Sequence, residues 1–378
     1  MINLQKYISL KLSDSQKQQL ISLDYRYGEL MKLCNESRNL KTITNIDEEW
    51  ENFEKAYNSG VPYIPNLDYE KPIKIKENRV IEKLKQLKYD FLNFNCFLSK
   101  YYVQNIDDQL QLMQHTVDVL DGKKSLLIMP KDTIENYEQA LKLLKEHPYE
   151  DSPDDKDIDG ETAAKEIQDY IDYNELEWEV VLDKNMLPRM GVSAEKEFLV
   201  NPERNFSKSD IEGLKSHEVD GHVARRYYGM KTGLHLFQYG LAGRMILDEG
   251  LAVWNSLNKA DLIKPNIIFN IAFKNAIVYH INEKSFMELI EFAKKIAPNY
   301  PLRKIFKCIV RIKGDTINLN DLGGRNLCAN YLKGYLLIDK MTDKERDDVL
   351  KYNIGPDQIK DLSDIKKFLK VNKFKSLI

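Results

Sequence analysis

The residues in this chain best placed to do chemistry together are the two histidines and the glutamate of HEVDGH, residues 217–222. Imidazole nitrogens and carboxylates ligate divalent metals, and a carboxylate beside such a site can serve as a general base. In an ordinary HExxH helix the histidines are four apart, about 40° out of register, so both rings reach one ion. Here His217 and His222 are five apart, which on a regular helix is about 140° and would point the rings away from a shared ion. Two distortions would bring them together. A one-residue π-bulge would absorb the extra residue, or the helix could loosen at Asp220-Gly221, where glycine weakens a helix interior by ~1 kcal/mol relative to alanine. A catalytic zinc commonly takes three protein ligands and keeps one position open. The third on offer is Glu249 in LDEGLAV, residues 247–253, 27 residues after His222, the spacing of a neighbouring helix returning to the first. Glu218 is then the general base, taking a proton from the attacking water and passing it to a leaving amine. With six histidines in 378 residues, a chance His-acid-x-x-x-His is expected in on the order of one such chain in a hundred. Spacing alone therefore leaves open two unrelated helix-surface histidines.

The elements that must position these residues follow from local signals. Ser209 with Glu212 three residues on is a capping box, which predicts a helix starting there and running through His217, Glu218 and His222. Upstream, residues 161–173 read as a helix. Residues 178–182 (WEVVL) and 197–200 (EFLV) read as short strands of a small sheet. The second is either an edge strand able to pair with an extended peptide or an internal strand. Up to about residue 150 the pattern is helical, with residues 78–101 one long apolar-periodic run. Three prolines in residues 61–74 predict an extended connector. The acidic, Pro- and Gly-containing residues 147–160 read as a linker. After residue 209 the pattern is helical except near residues 315–324.

Composition narrows the setting. Lys+Arg 56 against Asp+Glu 59 leaves a net charge of −3, so no global field marks a nucleic-acid binder. No apolar run has membrane-spanning length, and residues 1–14 lack the features of a signal peptide, so a cytoplasmic setting is expected. The four cysteines, Cys34, Cys96, Cys308 and Cys328, show no CxxC spacing. A metal here would be held by histidine and carboxylate.

HEVDGH, then Arg225 and Gly229, then DEGLAV at residues 248–253 resemble the family of QEGLA-motif proteins and tyrosine carboxypeptidases, marked by HExxxH and an EEGLA or QEGLA box. The likeness continues in NIDEEWENF (residues 45–53), PYIPNLDY (62–69), residues 178–200, RIKG (311–314), Gly323-Gly324 and YLKG (331–334). It implies a mainly helical, zincin-like zinc metallopeptidase, with His217, His222 and Glu249 on Zn2+ and Glu218 as catalytic base. Gly221 stands where the family often has Thr. Asp248 stands where it has Gln or Glu, a change expected to alter a hydrogen bond to the metal carboxylate.

A carboxypeptidase must hold a terminal carboxylate, and Arg311, with Lys333, is the first candidate. Tyr331 is either an oxyanion donor or a packing tyrosine. Arg225 is expected to pair with an acid behind the metal helix, and His235 to be a satisfied core histidine. The expectation is a mainly helical α+β protein: a helical N-terminal region (1–147), an acidic linker (148–160) and a catalytic domain with a small sheet (161–378). Its function would be zinc-dependent release of a C-terminal residue, tyrosine or another aromatic, from a peptide or protein. The alternatives are a zinc endopeptidase or maturation protease, and a non-catalytic peptide-binding protein with a structural zinc.

Overall fold

The computed structural model describes residues 10–37, 43–68, 77–120, 133–151, 156–184, 189–193, 196–263, 265–313, 318–324 and 328–378. Among the described residues, five helices precede the acidic segment: α1 (Asp14–Ser37), α2 (Ile46–Asn58), α3 (Glu77–Asn93), α4 (Ser99–Leu120) and α5 (Thr133–Glu146). The run expected as one helix over residues 78–101 is two, because the Ser99 hydroxyl accepts from the Cys96 amide and donates to the Phe94 carbonyl, turning the chain between α3 and α4. The proline-rich connector is irregular over residues 61–68 and tied to α2 by Glu49, which accepts from Tyr63 Oη and Asn66 N at 2.8 Å each. Part of the acidic linker, residues 152–155, lies outside the described residues.

Helix α6 (Gly160–Tyr173) leads into strands β1 (Glu179–Leu182), β2 (Met190–Val192) and β3 (Glu197–Val200). The small sheet is mixed, in the order β1-β3-β2, with β1 parallel and β2 antiparallel to β3. Strand β3 is therefore the centre of the sheet, and the reading of residues 197–200 as an edge open to a peptide is corrected: both of its sides are already paired. Strand β2, three residues around Gly191, gave no period to read.

Beyond the sheet come α7 (Lys208–Leu214), a π-helix (Lys215–Val223), α8 (Ala224–Lys231), α9 (His235–Tyr239) and α10 (Arg244–Asn258). The chain continues through α11 (Ile267–Tyr279), α12 (Phe286–Ile296), α13 (Leu302–Lys313), α14 (Ala329–Ile338) and α15 (Asp343–Tyr352), and ends with a 3-10 turn (Pro356–Asp361) and α16 (Leu362–Asn372). This is the expected mainly helical α+β architecture. Among the described residues no helix is long and apolar enough to cross a membrane.

Three apolar clusters hold the molecule. One joins α1, α3 and α4 to α9, α15 and α16. A second joins α2 and α5 to α11, α12, α13 and α14. The third closes the sheet against α6, α7 and the π-helix. Helix α10 sits where they meet, sending Leu247 and Leu251 into the first and Val253 into the second, so nearly its whole circumference is buried. A helix buried all round is normally apolar, yet α10 buries Asp248 and Glu249 side by side.

The approach of α14 to α10 is a backbone contact. A methyl group added to Gly250 would overlap the Gly334 carbonyl group, and one on Gly334 would overlap the Ile246 carbonyl oxygen. Overpacking a close contact costs ~1–3 kcal/mol. Gly250→Ala is therefore expected to lower the unfolding free energy by about that amount in urea denaturation, and the Gly250→Ala/Gly334→Ala pair to cost less than the sum of the two single changes, since they disturb one contact.

Candidate active site

The helix carrying HEVDGH begins two residues earlier than expected. Its cap is Ser207, which is extended and accepts from the Asp210 amide, while the Asp210 carboxylate reaches back to Ser207 N. Glu212, expected as the closing residue of the box, instead pairs with Lys215 at 2.8 Å. From Lys215 the helix widens into nine residues of π-helix, KSHEVDGHV. In an i→i+5 helix residues five apart lie on one face, as residues four apart do in an α-helix, which resolves the awkward spacing: the His217 and His222 ring centroids are 5.3 Å apart. Of the two distortions that the spacing allows, the π form is the one adopted. Gly221 has a further reason to be glycine, because a Cβ there would stand 2.9 Å from Ala252 Cβ on α10.

That approach brings Glu249 under both rings. Its Oε2 is 3.9 Å from His217 Nε2 and 3.7 Å from His222 Nε2. One ligand atom from each of the three residues lies within 4.8 Å of the others, the only such group among the described residues. Glu249 Oε2 is buried and has no hydrogen-bond partner, an arrangement that ordinarily costs free energy unless a cation compensates it. Burial also pushes the Glu249 carboxyl up from its usual range.

Both rings are oriented from behind. His222 Nδ1 is 3.0 Å from Asp248 Oδ1. The Ser256 hydroxyl donates to Ala252 O and so can accept from His217 Nδ1, at 3.4 Å. With Nδ1 protonated in each ring, the Nε2 lone pairs face the shared space, the orientation metal-binding histidines require. Burial pushes His217 down to about 4, keeping it neutral. Burial also opposes charge on His222, but Asp248 overcomes this and raises the ring to about 9. A metal binding there would displace that proton.

Asp248 is thus a partner of the ring His222. The change from the family's Gln or Glu, expected to alter a hydrogen bond to the neighbouring carboxylate, places a carboxylate against the His222 ring. Burial would raise its pKa, but His222, Arg225 and Arg244 outweigh this and hold Asp248 well below the usual carboxylate range. Arg244 Nη1 is 2.9 Å away, and Arg225, fully buried, is at 3.5 Å and also donates to Ile354 O at 3.0 Å. The expected pairing of Arg225 behind the metal helix is what the structure has. His235 is likewise a satisfied histidine, 2.9 Å from buried Asp24.

Glu218 is half-buried on the π-helix, and its charge acts on His217, His222, Glu249 and Tyr331. Tyr331, on α14, turns its phenol toward Glu249. Burial and the Glu249 charge raise it well above the ordinary range, so it stays protonated. Arg311 is exposed on α13, close enough for its charge to act on Tyr331. Lys333 is half-buried two residues past Tyr331, about 200° round the same helix, and is not brought to the triad.

A cleft of about 260 Å³ opens beside His217 and Tyr331 and contains Lys274, a residue that spacing arguments missed. The available signal was the single charge in the largely apolar helix IIFNIAFKNAIVY. Ser256 was missed because nothing in sequence ties it to a histidine 39 residues away.

Removing Asp248 would leave Arg225 as a buried charge short of its partner, which costs ~3–5 kcal/mol. Asp248→Ala is expected to lose stability on that scale in urea unfolding of metal-free protein, and Asp248→Ala/Arg225→Met to recover part of it. Equal stability of the single variant and wild type would show that Asp248 does not compensate Arg225.

No curated protein matches the chain. A family model does: residues 51–262, more than half of the chain and spanning both the π-helix and the DEGLAV stretch of α10, match that of the carboxypeptidases described as microtubule-associated tyrosine carboxypeptidase, and the chain belongs to that family.

Proposed function

We propose that this protein is a zinc-dependent carboxypeptidase that removes a C-terminal residue from a peptide or protein, with His217, His222 and Glu249 as the metal ligands. The observation that carries the reading is the buried Glu249 Oε2, partnerless and facing two Nε2 atoms at 3.7 and 3.9 Å. Ligand atoms about 2 Å from one ion stand roughly 3–4 Å apart, so the three residues suit such an ion. Two imidazoles and one carboxylate are the donor set of catalytic zinc, and three protein ligands leave a position open. Zinc bound there supplies Lewis-acid polarisation of the scissile carbonyl and lowers the pKa of a water.

The protein's own groups do the rest. Glu218 takes the proton of the attacking water and gives it to the leaving amine, the role of a carboxylate beside, and outside, the ligand set. Tyr331, kept protonated by burial and by Glu249, donates its O–H to the oxyanion that forms on the attacked carbonyl. Arg311 adds positive charge on the exposed side of Tyr331 and attracts the carboxylate end of the substrate. Lys333, on another face of α14, is the weaker of the two cations first considered for that end.

Mass spectrometry of peptides incubated with zinc-loaded protein tests the reading: products one residue shorter at the C-terminus are expected, and internal cuts would favour an endopeptidase instead. Glu218→Gln is expected to retain one zinc per chain while turnover falls ~10²–10⁴-fold. Glu249→Ala is expected to lose tight zinc binding in a chelator competition. Full activity in Glu218→Gln would refute the proposed base, and undiminished zinc affinity in Glu249→Ala would refute the ligand set.

A further inference from the structure

Helix α11 has a single charged residue, Lys274. Ile267, Asn270, Ile271 and Lys274 recur at i, i+3, i+4 and i+7, one stripe of the helix, and all four line the cleft beside His217 and Tyr331. Lys274 Nζ lies 5.2 Å from the centroid of the Tyr331 ring, and its charge acts on His217. Among the described residues no carboxylate lies within ion-pair distance of it. Asp210, the acid that lines the same cleft, is taken by Arg189. A half-buried lysine in an apolar helix, aimed into a cleft and lacking an acid, is matched by an anion supplied from outside.

The rest of the cleft says what accompanies that anion. Leu214, Val253, Ile267 and Ile271 form an apolar part of its wall, beside His217, Ser256, Asn270 and the Arg189–Asp210 pair. At about 260 Å³ it falls below the ~300 Å³ at which pockets begin to enclose drug-sized ligands, which suits one amino-acid side chain. Asn270 accepts from Tyr300 Oη at 3.2 Å through its Oδ1, which leaves its amide nitrogen as one donor in the cleft.

We propose that Lys274 forms the ion pair with the free α-carboxylate of the substrate's last residue, and that the cleft holds that residue's uncharged side chain. This rests on the carboxypeptidase reading and deepens it. Helix α11 lies beyond the residues matched by the family model, so the assignment comes from this chain's own geometry. Arg311, more exposed, guides the carboxylate, and Lys274 holds it.

The test uses zinc-loaded Glu218→Gln, which binds without turning over, and two peptides identical except that one ends in a free tyrosine carboxylate and the other in its amide. Calorimetry is expected to show the acid bound roughly 10- to 100-fold more tightly than the amide, the worth of one charge-assisted hydrogen-bonded pair. Adding Lys274→Met, a change an apolar helix accommodates, is expected to abolish that preference while leaving amide affinity unchanged. Lys274→Arg restores part of it, and Arg311→Met reduces it much less than Lys274→Met does. If Lys274→Met keeps the preference, or weakens acid and amide alike, Lys274 supports Tyr331 only and the proposal is wrong. A wild type that never shortens the acid peptide, combined with a Lys274-dependent preference, would overturn the carboxypeptidase reading and leave the carboxylate subsite standing. Absence of any preference overturns the subsite whatever the wild type cleaves.

Discussion

At Gly221 the π-helix meets Ala252 of α10, and at Gly250 α10 meets Gly334 of α14, each time so closely that an added methyl group would need the neighbouring helix to move. Helices separated by ordinary side chains pack with axes 8–10 Å apart; the glycines here let the backbones touch. With the backbones in contact, side chains of modest length from three helices share one small volume: His217, Glu218 and His222 from the first, Glu249 from the second, Tyr331 from the third. The π form follows from the same constraint. Only one side of the helix can press on α10, and five-residue spacing puts both histidines on that side only if the backbone bonds also step by five.

The same approach buries two adjacent carboxylates, and the protein treats them in opposite ways. Asp248 is surrounded by His222, Arg225 and Arg244 and stays ionised despite its burial. Glu249 receives no such set; Tyr331 reaches toward it, but its Oε2 is left without a hydrogen bond. Two buried acids on one helix would be prohibitive if both lacked partners. Compensating one from within fixes the ring of His222, and the other is left with a buried oxygen facing the two Nε2 atoms.

The candidate site was legible as a grouping because its residues are close in sequence or carry a motif: His217, Glu218, His222 and Glu249 come from two short segments, and the five-residue spacing by itself demanded a distorted helix. The mainly helical architecture was legible from apolar period. What stayed hidden was set by contacts distant in sequence. The cap moved from Ser209 to Ser207 because Asp210 bonds the Ser207 backbone whereas Glu212 is drawn to Lys215. The pairing of β3 on both sides depends on β2, too short to show a period. Lys274 and Ser256 face the site only because α11 and α10 present those faces to it, and no local pattern specifies a helix's neighbour.

The N-terminal helices bear on the site through a contact that sequence order conceals. Asp24 of α1 is buried and accepts from the backbone amides of His235 and Leu236, at 2.8 and 3.1 Å, from the His235 ring at 2.9 Å and from Tyr102 Oη at 2.6 Å. Those two amides are among the unsatisfied donors at the start of α9, so a side chain 211 residues earlier in the chain caps the helix that follows the histidine-bearing segment. Gly229 of α8 in turn rests against the Phe237 carbonyl, with no room for a side chain between them. The end of α8 is thereby held against α9, α9 against α1, and the π-helix runs directly into α8. A residue more than two hundred positions from His235 thus helps fix where the histidine-bearing helix ends, and with it the depth at which His217 and His222 sit against Glu249.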